Sequence, residues 1–253
     1  MHIPDGYLGP PTCGALFALM VPLWLVAARI VRRTLRARQV PLLAIGAAFS
    51  FVVMMFNIPI PGGTTGHAVG GALIAILLGP WAAVIALTVA LAIQALLFGD
   101  GGITALGANC FNMAVVLPFV GYGVYRLIGH GAAPGSRRRM LAAGAAGYFG
   151  IAAAALAAGV EFGLQPLLHP AAGGQAPYCP YGLRIALPAM LLPHLLVFGW
   201  VEGAITALVM RYLQKHEPEL LEQGRDGVPP PSAETNPGER RPRDWPPYPN
   251  AHP

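Results

Sequence analysis

AVGGALIAILLGPWAAVIALTVALAIQALLF, residues 68–98, decides how the chain is threaded. It reads either as one apolar segment or as two, divided at Gly79-Pro80. The glycine ends a helix readily, and the proline fits only the first turn of the next. The second part, Trp81–Phe98, has the length of a membrane span. The first part, Ala68–Leu78, rises only ~16 Å as a helix, too little to cross a bilayer unless the bilayer thins or neighbouring helices shelter it. Five further runs approach the ~20 apolar residues of a span: Pro11–Val31, Val40–Ile60, Ile103–Ile128, Met140–Phe162 and Ile185–Met210.

Charge decides whether Ala68–Leu78 crosses. Counted as a crossing, with the N-terminus outside, it leaves Arg29, Arg32, Arg33, Arg36 and Arg38 on the cytoplasmic side. Arg126, Arg137, Arg138, Arg139, Arg211 and Lys215 join them, and Arg184 alone falls outside. Merging the run with Trp81–Phe98 would place Arg137–Arg139 outside. The positive-inside rule therefore favours seven crossings over six. The fold expected is an all-α integral membrane protein of seven transmembrane helices, N-out and C-in, in the cytoplasmic membrane of a prokaryote.

Composition agrees. Of 253 residues, 55% are hydrophobic and 11% charged, against about 25% charged in soluble domains. Mean hydropathy is +0.56. These values exclude a soluble globular or disordered protein, and the formal charge of +5 marks topology rather than nucleic-acid binding. Residues 1–216 contain four acids, Asp5, Asp100, Glu161 and Glu202. That stretch is the expected membrane domain. Residues 217–253 are Pro-rich and charged, and read as a disordered cytoplasmic tail. Cys13, Cys110 and Cys179 show neither disulfide nor zinc spacing. The N-terminus, MHIPDGYLGPP, lacks the basic n-region of a signal peptide, so the first span is expected to be retained.

The start Met1-His2 offers three nitrogens to one metal: the α-amine, the amide nitrogen of His2 and its Nδ1. Together they close two chelate rings near one plane, which suits Ni(II) or Cu(II). A fourth nitrogen is available from His67, in the connection IPIPGGTTGHAVGG that also faces outside. Thr64 and Thr65 stand where they can orient an imidazole. From spacing alone, an incidental His2 and a solvated His67 remain open.

MHIPDGYL at the start and NIPIPGGTTGH near residue 60 resemble the cobalt/nickel transport M-subunits of the CbiM/NikM family. GPWAAVIALTVALAIQALLFGDGGITALGANCFNMA over residues 79–114 and PHLLVFGWVEGAITALV near the end extend that resemblance across about residues 1–215. The octet and the GGTTGH loop carry it; the Ala/Leu spans between are generic. The family comprises the substrate-capture S components of energy-coupling-factor importers. The resemblance implies seven helices and a metal held by the amine of Met1, the backbone nitrogen and imidazole of His2, and His67. The GGTTGH form is similar to nickel members, and the Ser-Cys-Ser-His loop of cobalt members is missing, so Ni(II) is expected as substrate with Co(II) next. Partners implied are a T transmembrane subunit, two ATPases and a small accessory membrane subunit. Ala44 and Ala48 match the family's docking motif for the T subunit. The ligand set requires an unprocessed Met1, which a bulky His2 should preserve. Binding is expected to displace protons from amine, amide and imidazole, with affinity falling as pH drops.

Other polar residues read less specifically. Asp5, Gln94, Asp100, Asn109 and Asn112 gather toward the outer side, where they are either neighbours of the metal or caps. Glu202, inside the last span, is expected to pair with Arg126 or a neighbouring helix, or to act in coupling; its depth is expected to be opposite that of His2. His194 is expected to be packed or backbone-bonded. His130, His169, His216 and His252 are expected to be solvated. No GxxxxGK[ST] loop is present, so the chain is expected to have no catalysis of its own. An intramembrane metalloenzyme lacks its HExxH, and a self-sufficient secondary transporter, the alternative, lacks its inverted repeats.

Overall fold

A computed structural model describes residues 1–60, 64–171 and 176–223. Among these, six helical runs are long and apolar enough to cross a bilayer: Pro10–Thr34, Ala37–Met55, Pro80–Phe98, Leu106–Gly129, Arg137–Leu168 and Leu183–His216. The helices are α1 (Pro10–Thr34), α2 (Val40–Met55), α3 (Gly71–Leu78), α4 (Pro80–Ile93) and α5 (Leu106–Asn109). They continue with α6 (Leu117–Gly129), α7 (Arg137–Leu168), α8 (Leu183–Pro193), α9 (Gly199–His216) and α10 (Pro218–Gln223). Three long runs change to a π turn partway, at Gln94–Phe98, Cys110–Val116 and His194–Phe198.

Local chemistry sets the starts. α1, α2 and α4 each carry proline in the first turn, where its missing N–H costs nothing. Ser136 caps α7 by accepting from the Arg139 amide. Inside the bundle, α7 packs on α6 and α9 through small residues. A Cβ on Gly121 would stand 2.9 Å from the Ala146 carbonyl, and one on Gly203 would stand 2.8 Å from the Gly144 carbonyl. Such contacts bring membrane helices together by dispersion.

Two expected boundaries move. The second span ends at Met55, not Ile60, and Ile58–Ile60 is a strand, β1, paired antiparallel with β2, Thr64–Gly66. Its apolar isoleucines mimic a helix continuation, but Pro59 would cost a helix interior one hydrogen bond, about 3 kcal/mol, and β1 instead pairs with Thr64–Gly66. The other boundary is at the tail. Pro218–Gln223 forms α10, with Leu221 packed on the core. Residues 224–253 of the expected disordered tail lie outside the described residues.

β2 and the start of α3 sit deep in the bundle, whereas Ile58 and Pro59 of β1 are exposed. A Cβ on Gly71 would meet Leu117 at 2.8 Å, and Leu117 in turn lies against Gly150. Gly150 is thirteen residues into the 32-residue α7, or about 20 Å from its start. Extended backbone at this depth is tolerated only where protein surrounds it. Here residues 66–71 are all buried, and His67 is 1% exposed.

Candidate metal site

Met1, His2, Ile3, Leu8 and Gly9 are buried in the bundle, held by hydrogen bonds on the backbone of this segment, while Asp5 and Gly6 stay exposed. Met1 and Ile3 are fully buried and His2 is 4% exposed. Asn109 grips Ile3 twice: its Oδ1 accepts from the Ile3 amide at 2.8 Å and its Nδ2 donates to the Ile3 carbonyl at 3.1 Å. Gly102 N–H also donates to that carbonyl at 2.8 Å. Further on, Gly9 N–H donates to Gln165 Oε1 at 2.9 Å, and Cys179 N–H donates to the Tyr7 carbonyl at 3.0 Å.

The hairpin meets this segment from the other side. Thr65 Oγ1 accepts from the Met1 α-amine at 3.2 Å, and Thr64 Oγ1 donates to the His2 carbonyl at 3.1 Å. The two threonines therefore hold the N-terminal backbone, not an imidazole. The hairpin is itself fixed by Glu202, fully buried on α9. The carboxylate accepts from Val69 N–H at 2.7 Å and from Gly70 N–H at 2.9 and 3.0 Å. Glu202 thus lies directly beneath the His67 segment: of its two expected partners it takes the start of a neighbouring helix, α3, rather than Arg126, and its depth is not opposite that of His2. Arg126 is exposed and near Tyr122. The carboxylate's fit is electrostatic: consecutive amides before α3 form an anion-binding turn, with Gly70 at φ +77° making the bend.

Between these two segments the imidazoles of His2 and His67 stack, with centroids 4.6 Å apart and 27° between planes. His2 Nε2 is 3.2 Å from Gln94 Oε1, and His67 Nδ1 is 3.0 Å from the Ala68 carbonyl. Both oxygens can only accept, so those nitrogens carry the protons. The lone pairs are left on His2 Nδ1 and His67 Nε2, both buried and without hydrogen-bond partners. His2 Nδ1 is 3.4 Å from Asp100 Oδ1. A second-sphere acceptor that fixes a tautomer in this way is the usual companion of a metal-binding histidine.

Burial also sets the protonation. It pushes the Met1 α-amine down from 8.0 to about 4, against the pull of Asp100. His2 is pushed from 6.5 to about 3 by burial and by the adjacent N-terminal charge, and His67 well below 6.5 for the same reasons. Near neutral pH the amine and both imidazoles are therefore neutral donors, and of the expected protons only that of the His2 amide remains to be displaced. Among the described residues no three His, Cys, Asp or Glu side chains form a metal cluster, so a site here has to draw on the α-amine and the backbone.

The remaining expected residues separate. Asp5 is exposed and holds the 103–104 turn, accepting from Ile103 N–H at 3.1 Å, from Thr104 N–H at 2.8 Å and from the Thr104 hydroxyl. The Thr104 hydroxyl keeps its carboxyl below the usual range. Asn112 points elsewhere, donating to Glu161 at 2.7 Å. His169 is half-buried over Gly9 and Tyr178, not solvated. His130 and His216 are exposed, and His252 lies outside the described residues. His194 is backbone-bonded, to the Met190 carbonyl at 2.7 Å. Glu202 had a signal in the sequence, an acid inside an apolar span, but its partner did not: the amides it binds lie over 130 residues away.

The family model described as "Cobalt uptake substrate-specific transmembrane region", CbiM, matches residues 2–220. The chain is 58% identical over 221 residues to the fused nickel transport protein NikMN of Rhodobacter capsulatus, covering 87% of this chain and 64% of that protein. The chain thus spans just under two thirds of that fused relative. It is 49% identical over 232 residues to a putative metal transport protein of Methanocaldococcus jannaschii, covering 90% of this chain and 99% of the relative. A crystal structure of a transition metal transporter, 55% identical, superposes with a TM-score of 0.82 over 89% of this chain and 98% of the other.

Proposed function

The chain belongs to the CbiM family of cobalt uptake substrate-specific transmembrane regions, and from that premise we propose that it captures Ni(II), with Co(II) second, as the S component of an energy-coupling-factor importer. The metal is held in a plane by the α-amine of Met1, the amide nitrogen and Nδ1 of His2, and Nε2 of His67. One observation carries this reading: two neutral imidazoles, each with its tautomer fixed by an acceptor, turn unshared buried lone pairs into a site reached by the α-amine. Two imidazoles bound cis at about 2.0–2.1 Å from one ion would have centroids about 4.5 Å apart. The 4.6 Å found between His2 and His67 fits that arrangement.

The surroundings support the assignment. Asn109 fixes the backbone beside His2, Thr65 orients the amine, and Thr64 holds the His2 carbonyl while its amide nitrogen binds. Asp5 acts one step further out, by pinning the turn whose Gly102 bonds Ile3. Nickel ranks first because the loop reads GGTTGH and the fused relative is named as a nickel transport protein.

Threading follows the same reading. α3 is too short to cross alone and crosses sheltered by its neighbours, giving seven crossings with the N-terminus outside and Arg137–Arg139 and Arg211 in the cytoplasm. The membrane is the cytoplasmic membrane of a prokaryote. Ala44 and Ala48 are both exposed on α2, one turn apart, and dock the T subunit. ATP hydrolysis comes from two partner ATPases, a small accessory membrane subunit completes the importer, and the chain has no catalysis of its own.

Adding one residue before Met1 tests the site. The α-amine then moves out of chelating position, and nickel affinity of the purified protein should fall at least about 100-fold. Unchanged affinity by equilibrium dialysis would remove the amine from the site.

A further inference from the structure

The nitrogens of the planar set lie in the interior: Met1 is fully buried, and His2 and His67 are 4% and 1% exposed. A cation arriving from water therefore has to pass a group that faces both the solvent and these donors. Asp100 is placed for that. Its side chain is 18% exposed, and its Oδ1 stands 3.4 Å from His2 Nδ1. That nitrogen presents a lone pair, because Nε2 carries the proton toward Gln94. A carboxylate oxygen and an imidazole lone pair at this separation repel, and what relieves them is a positive charge.

The turn that carries Asp100 is fixed against His2. Asp100 N–H donates to the Gln94 carbonyl at 3.1 Å, and Gln94 is the residue whose side chain meets His2 Nε2. Asn57 Nδ2 donates to Asp100 Oδ2 at 3.3 Å, which leaves Oδ1 toward His2. Gly99 and Gly101, at φ +66° and +87°, make the bends on either side. A Cβ on Gly101 would stand 3.2 Å from His2 Cδ2, so this turn lies on the imidazole itself. Among the described residues no group donates to Asp100 Oδ1. The neighbouring carboxylates are engaged: Glu202 is fully buried and accepts from Val69 and Gly70, and Asp5 holds the 103–104 turn.

We propose that Asp100 is the entry residue for the captured cation: it draws the ion in from solvent by charge and passes it to His2 Nδ1, without joining the nitrogen set. The inference rests on the planar site proposed above. A carboxylate at the mouth of a low-dielectric site raises the local concentration of cations and speeds their association. The attraction grows with the charge of the ion, so a dication gains more than the monovalent ions around it. The amine and both imidazoles are neutral donors and exert no such pull at a distance. Asp100 therefore acts on the rate of capture, and the nitrogens on what is retained.

Stopped-flow uptake of Ni(II) by the purified full chain, read with a metal indicator dye at several salt concentrations, tests this. Asp100→Asn keeps an oxygen for Asn57 and removes the charge. Its association rate should fall about tenfold and lose most of its dependence on salt. Asp100→Ala, which offers no donor to His2 Nδ1, should behave alike, and Asp100→Glu should keep the salt dependence. Amide exchange over residues 1–9 of the metal-free variants should stay as in wild type. An unchanged association rate and salt dependence would overturn the proposal. So would a change confined to the dissociation rate, or slow uptake accompanied by loss of protection over residues 1–9, which would mean a structural role. The one-residue N-terminal extension tests the planar site by affinity and Asp100→Asn tests entry by rate, so the two failures are told apart.

Discussion

The helical body and the polar pole of this molecule are held together in opposite ways. In the body, α6, α7 and α9 meet through Ala and Gly, and close approach does the work: Gly144 and Gly203 face each other backbone to backbone. At the pole, residues 1–9, 57–60, 64–70 and 99–105 are non-helical. They are held by hydrogen bonds between distant parts of the chain, such as Thr64 to His2, 62 residues apart, and Val69 to Glu202, 133 apart. Many body positions share one interchangeable role, whereas each pole residue holds one particular atom. The body should therefore tolerate conservative change and the pole should not.

The largest break in that contrast is expected at Glu202. Glu202→Ala leaves two buried N–H groups, of Val69 and Gly70, without an acceptor. At about 1–3 kcal/mol each, the His67 segment should loosen, amide exchange over residues 66–71 should accelerate, and nickel affinity should fall about tenfold or more. A body substitution of conserved volume, Leu87→Met, should cost under about 1.5 kcal/mol and leave binding alone. Equal effects from the two changes would erase the distinction.

Next comes a pair of glycines. Gly66→Ala drives a methyl into Phe198, an overpacking worth about 1–3 kcal/mol, and nickel binding should weaken. Gly14, on α1, has open space around it. Gly14→Ala should be neutral or stabilising by up to about 1 kcal/mol, with unchanged binding. Thermal denaturation and nickel titration of both variants check this.

A smaller effect separates the regions by pH. Burial lowers the Met1 amine from 8.0 to about 4 and His2 from 6.5 to about 3. Once released to solvent, both would take up protons that they refuse when docked. Docking of the N-terminal segment is thus strongest above pH 8. It weakens as pH falls, through the amine first and His2 below 6.5, and levels off near pH 3–4. Between pH 8 and pH 6 the amine alone contributes about 2 kcal/mol. In metal-free protein, protection of residues 1–9 from exchange or aminopeptidase should drop over this range while α7 stays unchanged. Constant protection of residues 1–9 would contradict the buried neutral amine.

How much of this was legible in the sequence follows the same division. The break at Gly79-Pro80 was readable because both residues act on their own backbone, and α4 begins at Pro80 as they require. The end of α2 was misread because Ile58 and Ile60 are as apolar as a span, and only pairing with Thr64–Gly66 shows them as a strand. His2 and His67 could be singled out by residue type and by resemblance. Their stacking, and the threonines that hold the N-terminal backbone rather than a ring, could not. Glu202 stood out as an acid in an apolar run, yet nothing near it in sequence indicated Val69 and Gly70. His194 was readable as backbone-bonded, and its Nδ1 does meet the Met190 carbonyl.

The sequence by itself therefore determined that the chain is apolar, helical and built to cross a membrane, because partitioning sums the preferences of neighbouring residues. It also supplied the nitrogen donors. Only the tertiary structure decided that Met1 is buried, that Glu202 lies beneath His67, and which nitrogen of each imidazole keeps its lone pair. Those outcomes depend on single hydrogen-bond acceptors delivered from distant segments, and no local property of the chain encodes where such an acceptor will arrive.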